Sequence, residues 1–379
     1  MGLRTAAVVP AAGLSSRMGD FKPLLNINGF AMIRLAVQGA LDGGVSRVCV
    51  VTGREHERVR DALEGIDGAV DPFPGQGRWP SVSFVHNPAF ADTDMLHSLK
   101  LGLRSLPEDV DALFVLPADV AAVSPRTFGA LSARAAQDSA LIFRPEFQAV
   151  GGHPLLVKAS CFNTILAFDG DGGLRKALDP LRVEPVAVED EGITLDADES
   201  ADFAVLAAYA RATKGVSSSI TGKLLDEFET PTHIRSHGRA VSELALRMVR
   251  RLNARGCCLD SELCRSAAAL HDMNRLEEHH SQVAAAHLRT CGYDAVARVV
   301  GDHDNTQGFD TTVFSESLIV FIADKLVKES HLVTLEERYE PALRRFSAET
   351  PIGQRIRQDK AWCQAMLTRY EELTGDTLQ

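Results

Sequence analysis

Two stretches of this 379-residue chain carry side chains able to do chemistry. The first, VVPAAGLSSRMGDFK at residues 8–22, is an apolar run that breaks into small residues and ends with two cations, Arg17 and Lys22, five positions apart. A loop of small residues after a strand lets backbone N–H groups approach an anion, and a following helix N-terminus adds partial positive charge. Ala11, Ala12, Gly13, Ser15 and Ser16 suit that role. The loop has neither GxGxxG nor the Gly-Lys-Ser/Thr ending of a P-loop. The residues alone therefore leave a phosphate cradle and an ordinary βα turn both open. The second stretch, SAAALHDMNRLEEHHSQVAAAHL at 266–288, puts His271 and Asp272 side by side at the end of an apolar helical run. Neutral imidazoles and carboxylates are the usual ligands of catalytic divalent ions, and a doublet at a helix end can direct both at one ion.

The elements that must position these residues differ between the two halves. Up to about residue 210, β-branched runs (TAAVVP, RVCVVTG, SVSFVHNP, DALFVLPAD) alternate with segments of helical period (MIRLAVQGALDGG, EHERVRDALEG, DMLHSLKLGLRSL). Such alternation predicts βαβ units around a mostly parallel sheet. Ligands of such sheets sit beyond the carboxyl ends of strands, so the informative stretches are 11–22, 87–98 and 117–124. Around ATKGVSSSITGK (212–223) the periodicity lapses into Gly, Ser and Thr, the composition of a linker. The expected division is a first domain at 1–212, a linker at 213–223 and a second domain at 224–379. In the second domain Val241, Leu244, Ala245, Met248, Val249 and Leu252 recur at helical spacing, which predicts an all-α domain. The Arg- and Glu-rich segment after about residue 335 reads as a solvated helical extension.

Composition removes other classes of function. With 45% hydrophobic and 24% charged residues the chain has the make-up of a globular protein. It contains no apolar stretch near the roughly 20 residues of a membrane span. The apolar run near the N-terminus is short for a signal peptide and leads into a strand, so a cytoplasmic location is expected. Seven scattered cysteines, an odd number, suggest reduced thiols, and Cys257, Cys258 and Cys264 lack zinc-site spacing. A net charge of −11 with no Lys/Arg-rich run argues against a nucleic-acid surface.

PAAGLSSRMGDFKPLL (10–25) resembles the signature of the MobA-like nucleotidyltransferases, and within them is most similar to the molybdenum cofactor cytidylyltransferases. Further pieces follow in that family's order. NPAFADTDMLHSLKLGL (87–103) resembles its nucleotide-contacting segment, LPAD (116–119) its metal aspartate, GGHPLLV (151–157) its Gly-His-Pro element, GDGGLRKAL (170–178) its later Gly-Asp element, and LDADESADF (195–203) its closing Asp-rich turn. The resemblance implies a Rossmann-like, mostly parallel sheet with flanking helices, and transfer of CMP from CTP, in preference to GTP, to a phosphorylated acceptor of molybdopterin type. It implies catalytic roles for Arg17, Lys22 and Asp119. Ala11, Ala12, Gly13, Ser15, Ser16, Asn87 and Ser98 would hold the nucleotide, and His153, Asp171 and Arg175 would lie toward the acceptor. Mg2+ would sit on Asp119 with Asp198 or Asp171 as the second carboxylate. A molybdoenzyme or its maturation chaperone is the implied protein partner. Ala12 stands where guanylyl enzymes of the family carry a second glycine, which is what points to cytosine. The chain departs from the pattern at Val120-Ala121, where proline is usual two residues after the aspartate, and at DTDMLHS, which lacks a glycine-methionine pair.

Within 224–330, the series His237, His271, Asp272, His280, His303 and Asp324 resembles the HD superfamily of metal-dependent phosphohydrolases. That resemblance implies His237, His271, Asp272 and Asp324 as ligands of a divalent transition metal, with Mn, Fe, Co, Ni and Zn all open. His280 and His303 would line the pocket on a second metal or on phosphate. Arg275 stands where many members place lysine. Hydrolysis and nucleotide sensing both fit the pattern.

Overall fold

The computed structural model describes residues 3–13, 20–66, 81–179, 181–303, 309–310 and 312–378. The chain divides into two units, Met1–Ala210 and Arg211–Gln379, each with its own core.

The first unit is built on β1 (Thr5–Ala11), whose sequence TAAVVPA is apolar on both faces, as a strand covered on both sides must be. It pairs in parallel with β2 (Arg47–Thr52) on one side and β4 (Ala112–Val115) on the other. β3 (Val82–His86) lies beyond β2, also parallel. The sheet continues past β4 through β7 (Leu155–Lys158), β5 (Ile142–Phe147) and β8 (Val183–Ala187), with β6 (Val150–Gly151) folded back on β5 as a hairpin. β7 runs antiparallel to β4 and β5, so the sheet is mixed at that end.

Period-two alternation sorts the strand side chains between two helical layers. Ala7, Val9 and Phe114 share a core with α1 (Met32–Asp42), α2 (His56–Ala62) and α4 (Pro125–Gln137). Val8, Leu113 and Val115 face α3 (Met95–Ser105), α5 (Phe162–Ala167) and α6 (Gly173–Leu178). Gly102 lets α3 seat closely, since a Cβ there would stand 2.5 Å from Val8 Cγ1. In α7 (Ser200–Thr213), Leu206 and Ala210 pack in a smaller cluster with Ile27, Phe30 and Met32. Chain order reverses at β1, with β2 to one side and β4 to the other. The carboxyl ends of β1 and β4 therefore border a crevice of the kind in which open α/β sheets bind ligands.

Among its described residues the second unit is helical, as expected, with one short antiparallel pair, Val327–Lys328 with His331–Leu332. It begins with α8 (Ser218–Glu227). α9 (Thr232–Asn253) buries the stripe Val241, Leu244, Ala245, Met248, Val249 and Leu252 against α10 (Ser261–Leu270) and α13 (Glu316–Lys325). α11 (His280–Thr290) and α12 (Asp294–Asp302) add Ala284, Leu288, Val296 and Val300 to the same core.

Two expectations change here. The stretch 213–223 is packed structure: Val216 is fully buried, and Gly215 lies so close to the Glu262 backbone that a Cβ would collide with its carbonyl group. Ser217 caps α8, accepting from the Ile220 N–H at 3.3 Å. The Gly/Ser/Thr content serves a close approach and a helix cap. The segment after residue 335 is likewise part of the core. In α14 (Leu335–Arg345) and α15 (Pro351–Thr374), Tyr339, Cys363, Met366, Leu367 and Tyr370 are buried among charged residues that leave the composition polar.

Candidate functional site

Beyond the ends of β1 and β4 lies a cleft of about 240 Å3 lined by Ala11, Ala12, Gly13, Lys22, Ser98 and Asp119, with Phe90 and Met95 also on its wall. Lys22 opens a short helical turn, Lys22–Leu24, and Pro23 fixes the chain direction there. Its ammonium donates to Asp198 Oδ1 at 2.9 Å and stands 3.7 Å from Asp119 Oδ2. Lys22 and Asp198 are 176 positions apart in the chain and meet only through the fold. One cation thus faces two carboxylates at the strand ends.

A buried carboxylate holds the two acidic loops in place. Asp190 accepts from the Ser124 N–H at 2.8 Å, the Thr127 hydroxyl at 2.6 Å and the Gly192 N–H at 3.1 Å. The chain after Asp119 is thereby tied to the chain that carries Asp196 and Asp198. Asp196 is a third carboxylate of the group: partial burial and the neighbouring charges of Asp198 and Asp119 raise its pKa. Asp119, Asp196 and Asp198 thus form one acidic group, although their oxygens are not among the sets of three ligand atoms that lie within 4.8 Å of one another.

A second cavity of the same unit, about 750 Å3, is lined by His153, Arg175 and Asp196 together with Arg144 and aliphatic side chains. The His153 backbone N–H donates to the Ile193 carbonyl at 2.8 Å. Burial lowers the His153 pKa, opposed by the charges of Asp119 and Asp196, so this imidazole senses the acidic group. Asp171 lies in the exposed turn before α6 and is not among the residues lining this cavity. Asn87 is fully buried, and its amide donates to Thr93 Oγ1 at 3.0 Å and Ser98 Oγ at 3.2 Å. These bonds hold the loop ahead of α3, and Ser98 itself lines the cleft. Ser15, Ser16 and Arg17 lie outside the described residues.

In the second unit the helix ends converge on one buried cluster. Asp272 and Asp324 are 3% exposed and His271 is fully buried. His237 Nε2 stands 3.1 Å from Asp324 Oδ1, and His271 Nε2 stands 3.4 Å from Asp272 Oδ2 and 3.5 Å from Asp324 Oδ1. His280 and His303 approach Asp272 Oδ1 at 3.1 and 3.7 Å. The ligand atoms of His237, His271 and Asp272 lie within 4.8 Å of one another, as do those of Asp272, His280 and His303. Tautomers are set from behind: Nδ1 of His237, His271 and His303 pairs with the carbonyls of Glu329 (2.9 Å), Ala268 (2.7 Å) and Val300 (2.6 Å). Carbonyls accept only, so each Nδ1 carries a proton and each Nε2 faces inward, where it holds either a proton shared with a carboxylate or, once deprotonated, a metal ion. The buried Nε2 of His271 has no hydrogen-bond partner among the described residues. Burial alone would depress the His271 pKa, but Asp272 and Asp324 overcome it and push it up to about 10. The cluster thus demands positive charge at its centre, and a divalent ion fits that demand. Arg275 donates to both oxygens of Asp272 at 2.8 and 2.6 Å.

Asp190, Asp196, Arg338 and Lys325, whose ammonium stands 2.7 Å from Asp324 Oδ2, were not singled out in the sequence. Asp196 carried a signal, its i, i+2 spacing from Asp198. Arg338, 3.6 Å from Asp324 Oδ2, carried none, since it sits among the charges of α14.

Residues 7–186 match the MobA-like NTP transferase domain. The purine catabolism protein PucB of Bacillus subtilis is 30% identical over 169 residues, which cover 44% of this chain and 77% of PucB. The molybdenum cofactor cytidylyltransferase of Escherichia coli is 26% identical over 197 residues, covering 52% of this chain and 92% of that enzyme. Among solved structures, a nucleotidyl transferase from Methanothermobacter thermautotroptrophicus superimposes with a TM-score of 0.45 at 26% identity, covering 55% of this chain and 99% of that one.

Proposed function

Because the chain belongs to the MobA-like NTP transferases through residues 7–186, we propose that its first unit transfers CMP from CTP to a molybdopterin-type phosphate and releases pyrophosphate. The observation that carries this reading is Lys22 facing Asp119 and Asp198 at the carboxyl ends of β1 and β4. In nucleotidyl transfer an acceptor phosphate oxygen attacks the α-phosphorus in line and pyrophosphate leaves, so positioning and charge neutralisation supply most of the catalysis. The backbone at Ala11, Ala12 and Gly13 borders the space for the triphosphate, and Lys22 neutralises its charge. Asp119 and Asp198, with Asp196 beside them, would hold Mg2+. When bound, that ion neutralises phosphate oxygens and the leaving group. The similarity to a cytidylyltransferase and the methyl group of Ala12 on the cleft wall support CTP over GTP. Incubation with CTP, Mg2+ and molybdopterin should release pyrophosphate; no release from CTP or GTP refutes the reading. A different phosphorylated acceptor is the second reading, and a screen of acceptors with labelled CTP separates the two.

The second unit is read as an HD-type phosphohydrolase. Its support is the inward-facing set of His237, His271, Asp272 and Asp324. When bound, a divalent metal there polarises a phosphoryl group and lowers the pKa of an attacking water. Arg275 and Arg338 bring positive charge to the cluster for a substrate phosphate. Phosphoester hydrolysis by the metal-loaded chain, lost on joint replacement of His271 and Asp272 by alanine, is the expected result. Hydrolysis unchanged by that replacement favours a nucleotide-sensing role.

A further inference from the structure

The two acidic loops of the first unit are held by packing that strand pairing does not supply. Residues 116–124, which carry Asp119, and residues 188–199, which carry Asp196 and Asp198, lie outside the strands of the sheet and its α-helices. Asp190, 4% exposed, joins them: Oδ2 accepts from the Ser124 N–H and the Thr127 hydroxyl, and Oδ1 accepts from the Gly192 N–H. A carboxylate accepts on both oxygens, whereas an amide of the same size must turn its own NH2 group toward one of these donors. Backbone meets backbone around this carboxylate. A Cβ at Gly192 would stand 2.5 Å from the Ala122 carbonyl oxygen, and one at Gly152 would collide with the Ile193 carbonyl, to which the His153 N–H donates at 2.8 Å. The segments that carry Asp119, His153 and Asp198 are thus locked together through the turn Glu191–Thr194, and Asp190 closes the lock. Asp190 itself lines neither the nucleotide cleft nor the larger cavity.

We propose that Asp190 is a positioning residue of the transferase: by holding Ser124, Thr127 and Gly192 it sets Asp119 and Asp198 in place against the Lys22 ammonium. The proposal rests on reading the first unit as a nucleotidyltransferase. Its test measures CTP binding by calorimetry and pyrophosphate release with CTP, Mg2+ and molybdopterin on the same samples of the full chain, with kcat expressed per CTP-binding molecule. Asp190→Asn should lower kcat at least about tenfold, since small misplacements of charged groups are costly in transfer chemistry, while CTP affinity stays within about threefold. The cleft residues Ala11, Gly13 and Ser98 are not among the partners of Asp190, which is why binding is spared. Thr127→Val, which deletes the 2.6 Å bond, should lower kcat about threefold, and Thr127→Ser, which keeps the hydroxyl, should restore it. Wild-type kcat in Asp190→Asn, or equal kcat in Thr127→Val and Thr127→Ser, overturns the positioning role and leaves Asp190 a stabilising carboxylate only. A loss of CTP affinity as large as the loss of turnover also overturns it, because the disruption is then general. Where Asp190→Asn does not fold, the Thr127 pair decides. Failure of the transferase reading shows separately, as no pyrophosphate release from the wild type, and takes this proposal with it.

Discussion

Replacing Lys22 with methionine should move two measurable quantities in opposite directions. The Lys22 ammonium stands 2.9 Å from Asp198 Oδ1 and 3.7 Å from Asp119 Oδ2, so it competes with any cation those carboxylates bind. At an effective dielectric of about 20, a unit pair at such a distance is worth about 4 kcal/mol. The Asp198 side chain is 56% exposed, and solvent screening reduces this to about 1 kcal/mol. Removing the ammonium should therefore tighten Mg2+ binding to the nucleotide-free chain by roughly fivefold. The same ammonium neutralises triphosphate charge in the transition state, where the loss of one such group costs about 10²–10³ in kcat. Mn2+ titration followed by electron paramagnetic resonance, with Mg2+ competition, reads the first effect, and pyrophosphate release reads the second. Unchanged metal affinity together with wild-type turnover refutes the assignment of Lys22 to the charged centre.

Three further outcomes follow from the geometry. On the reading of the second unit as a metal site, the wild-type chain should bind a divalent ion there and Asp272→Asn should lower that content to below about a tenth, read by elemental analysis, because Asp272 faces all four cluster imidazoles; equal content in the two contradicts the metal site. Asp376 is buried, which pushes its carboxyl up, but Arg247 and the Tyr370 hydroxyl at 2.7 Å hold it below the usual range. A depressed carboxylate contributes stability above its unfolded pKa of about 3.9 that is lost as pH falls through the folded value. Asp376→Asn should thus lower Tm by about 2–4 °C at pH 7, and the gap to wild type should close in acid; a gap constant with pH contradicts the linkage. Ala12→Gly should shift the ratio of CTP to GTP turnover toward GTP, since Ala12 lines the cleft; an unchanged ratio removes this position from base selection.

The alternation of β-branched runs with helical segments made the sheet of the first unit legible, because period two and period 3.6 are properties of the local chain. The same holds for α9, whose apolar stripe is the buried face. Composition misled where one residue type serves two purposes. Gly215 and Ser217 read as linker but provide a close approach and a helix cap, and the charges of α14 and α15 hid the buried stripe from Cys363 to Tyr370. Asn87 lies in a nucleotide motif yet spends its amide on Thr93 and Ser98. What tertiary structure alone decided is which distant groups share a space. The meeting of Lys22 with Asp198, the clamp of Asp190 on Ser124 and Thr127, and Gly192 against Ala122 depend on strand order and loop packing. The residue types and their order were in the sequence; the electric field at each site comes from separations of a few ångströms that only the folded chain defines.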